Sequence, residues 1–171
     1  MRDLAGQAGL LPGSFYAHFS SKEEILYQIV IEAARQFLGG MEALRAVPAS
    51  PEDRFRRAMR AHIEVVARDL EGARVFLHEW RALRGRRRAE ITRLRRRYED
   101  LWGEIVRDLA PADPKLARLL ALSAANWTYV WYDPTGPLGP EEIADRYTDL
   151  LLAGLKGNER GKTSMRRGVR S

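Results

Sequence analysis

Residues 1–27 read MRDLAGQAGLLPGSFYAHFSSKEEILY, and this stretch decides the fold of the chain. Gly9 permits a tight turn between two short helices. Ser20 or Ser21, each followed three residues later by a glutamate, is typical of the N-terminus of a long third helix. The stretch therefore predicts a helix-turn-helix, whose short second helix presents its first turn to the major groove of double-stranded DNA.

The rest of the chain continues with helices. Further helix starts are predicted where Ser50-Pro51, Asp113-Pro114 and Gly139-Pro140 bring a capping position together with a proline at the first helical residue. Apolar residues between these signals recur at threes and fours, and no run of alternating β-branched residues separates them. The fold class is therefore all-α, with helices predicted near residues 3–9, 13–19, 21–46, 50–69, 72–84, 86–110, 114–132 and 140–156.

We divide the chain into a partial helix-turn-helix head (1–27), a ligand-binding and dimerisation body (28–156) and a basic tail (157–171). The tail holds five of the positive side chains against the single Glu159, and so accounts for +4 of the net charge of +6. Its composition cannot bury an apolar face, so we expect it to be disordered. It is either a solvated terminus or an accessory contact to DNA.

Composition argues against an enzyme. The 171 residues include no cysteine, no glycine-rich phosphate loop and only three histidines, His18, His62 and His78, which fall on separate predicted helices. We therefore expect no catalytic residue, no metal and no cofactor. No signal peptide and no membrane-spanning stretch is apparent, which predicts a cytoplasmic protein without a membrane partner.

The N-terminal stretch also resembles the tetracycline-repressor (TetR) family of transcription regulators. Four elements of the family pattern follow in order and at the expected spacing: Leu4-Ala5, Ala8-Gly9, Tyr16-Ala17-His18-Phe19 and Ser21-Lys22-Glu23-Glu24. The resemblance covers about 25 residues, and the number of helices predicted behind it also fits. It implies a ligand-responsive repressor that binds operator DNA as a homodimer.

By this resemblance, six residues are expected to contact DNA. Base-edge or backbone contacts would come from Pro12, Gly13 and Ser14, and phosphate contacts from Tyr16, His18 and Lys22. The alternatives remain that both rings merely pack between the two short helices and that the lysine is an idle surface side chain.

The head departs from the family pattern in three ways. The helix that usually precedes this point is missing, which suggests either a start codon placed too far downstream or a shortened product. Leu11 replaces the usual Ser or Thr cap, and Ala17 replaces a frequent basic residue. DNA binding by the chain as it stands is therefore open, and the alternative function is a dimeric ligand-binding module without DNA-binding activity.

The predicted body combines aromatic residues with eight arginines in the segment 84–97. Such a run is either a solvated helix face or a binding site for an anionic part of a ligand. Residues 78–83, 95–102 and 126–155 are similar to regulators of fatty-acid, sterol or aromatic-acid breakdown, which implies an acyl-CoA as the small apolar effector. The candidate ligand-binding residues are Phe76, Trp80, Arg81, Arg87, Arg88, Tyr98, Trp102, Trp127 and Trp131.

In the family, the last two long helices pair with the same helices of a second subunit. We therefore expect a homodimer interface on the helices predicted at 114–132 and 140–156, since aromatic residues are favoured in such interfaces. The candidate interface residues are Leu120, Trp127, Ile143, Tyr147, Leu150, Leu151 and Leu155.

Overall fold

The computed structural model describes the backbone of residues 21–167 and the side chains of residues 21–155. Six α-helices make up most of this part, and no strand occurs within it. They are α1 (Lys22–Ala43), α2 (Pro51–Arg68), α3 (Leu70–His78), α4 (Gly85–Asp108), α5 (Pro114–Trp131) and α6 (Pro140–Arg167), with single 3₁₀ turns at Leu44–Ala46 and Glu79–Ala82. The prediction of an all-α fold is confirmed. The short helices predicted over 3–9 and 13–19 lie outside the described residues.

Side-chain caps begin four of these helices at or near the expected places. The hydroxyl of Ser21 accepts from the amide of Glu24 at 3.2 Å, and Ser50 and Asp113 cap α2 and α5 in the same way. Asp69 accepts from the amide of Gly72 at 2.9 Å, so α3 begins at Leu70 rather than at the predicted residue 72. The cap satisfies amides that would otherwise lack partners in the first turn.

The core lies around α2, which packs against α1, α4, α5 and α6. The apolar face of α2 carries Phe55, Met59 and Ile63, each at most 1% exposed. Trp102 of α4, which has no exposed surface, meets Phe55 edge to face at 5.9 Å between ring centroids. None of the described helices is long and apolar enough to cross a membrane.

The last helix is longer than the sequence predicted. Composition indicated a disordered tail from residue 157, whereas the backbone of α6 stays helical to Arg167. Extending an existing helix adds one hydrogen bond for each residue that is ordered, so it needs no further apolar face. The added segment contains no proline, although Gly157 and Gly161 have a low helix propensity.

Candidate functional site

A small cavity of about 50 Å³ lies inside the body, where α1 to α5 meet. Its wall is mainly aromatic and apolar, with a few polar groups, which is the usual make-up of a small-molecule site. The lining residues are Phe37, His62, Phe76, Leu77, Arg95, Tyr98, Glu99, Leu122 and Asn126. Two of the predicted ligand-binding residues, Phe76 and Tyr98, are therefore part of this wall.

Three rings of the wall pack against one another. Phe37 of α1 stacks on Phe76 of α3 at 5.2 Å and lies 4.9 Å from the His62 ring of α2. These contacts therefore join α1, α2 and α3 at the cavity wall. Phe37 also lines a separate open groove of about 330 Å³ between α1 and α3, so its ring is shared by both spaces.

The polar part of the wall is held by a buried pair. The Nδ1 atom of His62 lies 2.5 Å from the hydroxyl oxygen of Tyr98. Burial lowers the pKa of His62 to about 3 and raises the pKa of Tyr98 above its usual value. Both side chains are therefore neutral at neutral pH, and the pair can offer hydrogen bonds to a ligand without introducing a charge.

A cluster of arginines surrounds Trp80 next to this cavity. The guanidinium carbons of Arg81, Arg88 and Arg95 lie 5.0, 5.8 and 4.8 Å from the centre of its ring. Within the described side chains, no carboxylate lies within ion-pair distance of any of the three. We call Trp80 with these three residues the arginine cluster. Arg87 is not part of it, because its guanidinium stacks on Tyr27 of α1 at 5.4 Å.

The three remaining tryptophans predicted to bind ligand do not line the cavity. Trp102 lies behind it in the core, 6.3 Å from the His62 ring. Trp127 and Trp131 are 60% and 43% exposed on the outer face of α5.

Sequence reasoning missed the other seven wall residues, which are Phe37, His62, Leu77, Arg95, Glu99, Leu122 and Asn126. His62 could have been noticed, since it occupies a position in the apolar stripe of α2, between Met59 and Val66. Arg95 could not, because its sequence neighbours are also arginines.

An exposed apolar surface runs along α5 and continues onto α6. It includes Leu120, Trp127 and Leu150, which are 57%, 60% and 71% exposed, together with Leu116, Leu119, Val130 and Trp131. We call this set the α5–α6 surface. Of the other predicted interface residues, Tyr147, Leu151 and Leu155 are partly buried against the core, and Ile143 is 2% exposed within it. Six of the seven residues lie on α5 at helical spacing, so they form a stripe along one side of that helix.

Among the residues predicted to contact DNA, Lys22 is the only one within the described part of the chain. It is the first residue of α1 and is exposed. Pro12, Gly13, Ser14, Tyr16 and His18 lie outside the described residues.

The start of α1 is joined to the start of α4. The Oε1 atom of Glu23 accepts from the amide of Arg84 at 3.0 Å, and the hydroxyl of Tyr27 donates to Glu90 at 2.7 Å. Arg84 is the N-cap residue of α4 and makes no capping hydrogen bond through its own side chain, so Glu23 places a negative charge at a helix N-terminus that has no other cap. The arginine-rich end of α4 is therefore hydrogen-bonded to the first two turns of α1, next to Lys22.

Comparison with known families gives two matches. Residues 48–155 match the profile of the family described as "Tetracyclin repressor-like, C-terminal domain". Residues 1–29 match that of "Bacterial regulatory proteins, tetR family".

Individual relatives agree with these matches. The chain is 34% identical to the TetR family transcriptional regulator PfmR from Thermus thermophilus, with a TM-score of 0.77, over 90% of this chain and 87% of that one. It is 27% identical to AibR in a crystal structure with isovaleryl coenzyme A and operator DNA, with a TM-score of 0.72, over 88% and 85%. Against the HTH-type transcriptional repressor KstR2 of Mycobacterium tuberculosis, 27% of residues are identical over 91% of this chain and 82% of that protein.

Proposed function

The chain belongs to the TetR family of bacterial regulatory proteins, and from that premise we propose that it is a repressor released from operator DNA by an acyl-CoA. The observation that carries the choice of effector is the position of the arginine cluster beside the aromatic cavity. An apolar acyl group suits the cavity, and the phosphates of coenzyme A suit guanidinium groups that have no carboxylate partner. The relative AibR, whose crystal structure holds isovaleryl coenzyme A and operator DNA, supports the same class of ligand.

The cavity of about 50 Å³ is closed to such a ligand in the described conformation. Ligand sites commonly measure roughly 300–1,000 Å³, so an acyl group has to displace part of the wall. Phe37 is the wall residue that belongs to α1, so displacing its ring would move part of α1. The first residue of the same helix is Lys22. A ligand shifts the equilibrium only by its difference in affinity for the two arrangements, so ~100-fold release of DNA requires ~2.7 kcal/mol of discrimination.

We further propose that Pro12, Gly13 and Ser14 read base edges or backbone and that Tyr16, His18 and Lys22 hold phosphates, as the family pattern implies. Two copies of the chain would associate through the α5–α6 surface, since a two-fold dimer presents two recognition helices to a palindromic site. Ile143 is not part of this proposed interface, because its side chain is buried in the core of the same chain.

Fluorescence anisotropy with a duplex selected from a random-sequence library tests the function. The complex should dissociate on addition of heptanoyl-CoA at a concentration at which coenzyme A alone and heptanoate have no effect. If the complex persists with every acyl-CoA of a length series, an acyl-CoA is not the effector. If acyl-CoA binds in calorimetry but no duplex is ever selected, the chain is a dimeric ligand-binding module instead.

A further inference from the structure

Arg95 is set apart from the other arginines of α4 by its surroundings. Its guanidinium lies between two aromatic rings, 4.9 Å from the centre of Phe76 and 4.8 Å from that of Trp80. It also lines the cavity, whereas Arg81 and Arg88 are exposed and do not. The positive charge on the cavity wall is therefore that of Arg95.

Two donors in this place lack an acceptor. The Nη1 atom of Arg95 and the Nε1 atom of Trp80 are both buried, and neither has a hydrogen-bond partner among the described residues. Buried donors are normally paired, and leaving one unpaired costs roughly 1–3 kcal/mol, or more for a charged group. An acceptor carried by a bound ligand would satisfy donors in this place.

The nearest candidate counter-ion is already engaged. Glu99 lines the same cavity, but its Oε2 atom pairs with Nη1 of Arg118 on α5 at 3.3 Å. No ion pair to Arg95 is found over residues 21–155. Burial lowers the pKa of Arg95, which is the direction expected for a guanidinium that has lost water without gaining a full counter-charge.

We propose that Arg95 binds a carboxylate carried by the apolar part of the effector, and so selects carboxylate-bearing ligands over purely apolar ones. A carboxylate is planar and matches the guanidinium fork with two parallel hydrogen bonds, and the rings of Phe76 and Trp80 keep water from both. The inference rests on the proposed function, because it concerns the same ligand site.

Calorimetry with adipoyl-CoA and heptanoyl-CoA tests this selectivity. The two acyl chains are of similar length, but the first ends in a carboxylate and the second in a methyl group. We expect the protein to bind adipoyl-CoA about ten- to hundredfold more tightly, as a charge-assisted hydrogen bond implies. Arg95→Gln should remove this preference, so that the variant binds the two thioesters with affinities within about twofold of each other.

Two further variants separate recognition from general effects. Arg95→Lys retains a charge without the fork and should keep only a small part of the preference. Arg96→Gln removes an exposed charge from the next position of α4 and should keep all of it. Thermal melting of each ligand-free variant checks that the fold is retained.

The possible outcomes separate this inference from the proposed function. Tighter binding of heptanoyl-CoA, or a preference that Arg95→Gln leaves unchanged, overturns the role of Arg95 while an acyl-CoA effector stands. If neither thioester binds, the acyl-CoA proposal fails. The role of Arg95 is then tested with the free acids heptanoate and phenylacetate. Binding of either acid that is lost in Arg95→Gln supports the carboxylate site, and no binding of either acid overturns it.

Discussion

Arg60 of α2 and Asp145 of α6 form a two-pronged ion pair, with 2.7 Å from Nε to Oδ1 and 2.6 Å from Nη2 to Oδ2. The hydrogen bond from Arg60 holds the pKa of Asp145 below its ordinary value. Arg56, one turn earlier on α2, adds a contact from Nη2 to Oδ1 of Asp149 at 2.5 Å. A network of charges therefore joins α2, which carries His62, to α6, which carries part of the α5–α6 surface.

Breaking this network should lower stability measurably. We expect Asp145→Asn to reduce the free energy of unfolding by about 1–2 kcal/mol, since two charge-assisted bonds to Arg60 are weakened together. Urea denaturation measures the change. Glu64→Gln breaks an exposed pair with Arg68 on α2 and serves as the control, with an expected loss below about 0.5 kcal/mol. Equal losses in the two variants would contradict a special role of the α2–α6 pair.

The buried His62 should make stability depend on pH in the acidic range. Because burial lowers its pKa in the folded protein from 6.5 to about 3, falling pH favours the unfolded chain, which binds the extra proton. The free energy of unfolding should therefore fall between pH 6.5 and pH 3, by up to about 1.4 kcal/mol per pH unit from this residue. In His62→Gln this contribution to the slope of unfolding free energy against pH should be absent. Chemical denaturation at several pH values measures the slope, and identical slopes in the parent and the variant would rule out His62 as the cause.

The helices of the body were predictable from the sequence because their signals are local. Ser50 and Asp113 lie directly before prolines, and the predicted caps form where the sequence placed them. Phe76 and Tyr98, both predicted from the sequence to bind ligand, lie on the apolar faces of their helices and line the cavity, and their role in binding stays a prediction.

The site as a whole was not predictable, because it depends on contacts between distant residues. Periodicity identifies the buried side of a helix but not the neighbour that it meets, so Trp102 and Ile143 could not be separated from residues that line a cavity or an outer surface. Within the arginine run, only packing distinguishes Arg95, which lines the cavity, from Arg87, which lies over Tyr27.

The α5–α6 surface leads to a prediction on association. Leu120→Glu should shift the protein from twice 19.5 kDa to a single chain mass in light scattering at micromolar concentration. The reason is that a charge in an apolar seam loses its water without gaining a partner. Val47→Glu changes an exposed apolar residue outside this surface, on the loop before α2, and should leave the mass unchanged. A parent protein that is already monomeric would remove the basis for this interface.

Lys22 should contribute to DNA binding without contributing to sequence choice. Lys22→Ala is expected to weaken binding to selected and random duplexes by a similar factor, and to reduce the slope of log affinity against log salt by about 1, as for one phosphate contact. Lys115→Ala removes an exposed lysine from the start of α5 and is the matched control. A loss confined to the selected duplex would instead give Lys22 a part in reading the sequence.

The arginine cluster should bind the phosphates of an acyl-CoA, and this contact should depend on salt. Replacing both Arg81 and Arg88 by Gln should bring the affinity for heptanoyl-CoA down towards that for heptanoate, because the phosphates then lose two guanidinium groups that flank Trp80. The parent protein should lose affinity for the thioester as salt rises, and the double variant should do so much less, since salt screens charges that are exposed. Replacing Arg86 and Arg93 by Gln removes the same total charge from exposed positions of α4 and so controls for the net charge of the protein. If both double variants weaken binding equally, the phosphates respond to the overall field of α4, and the cluster around Trp80 has no specific part in binding them.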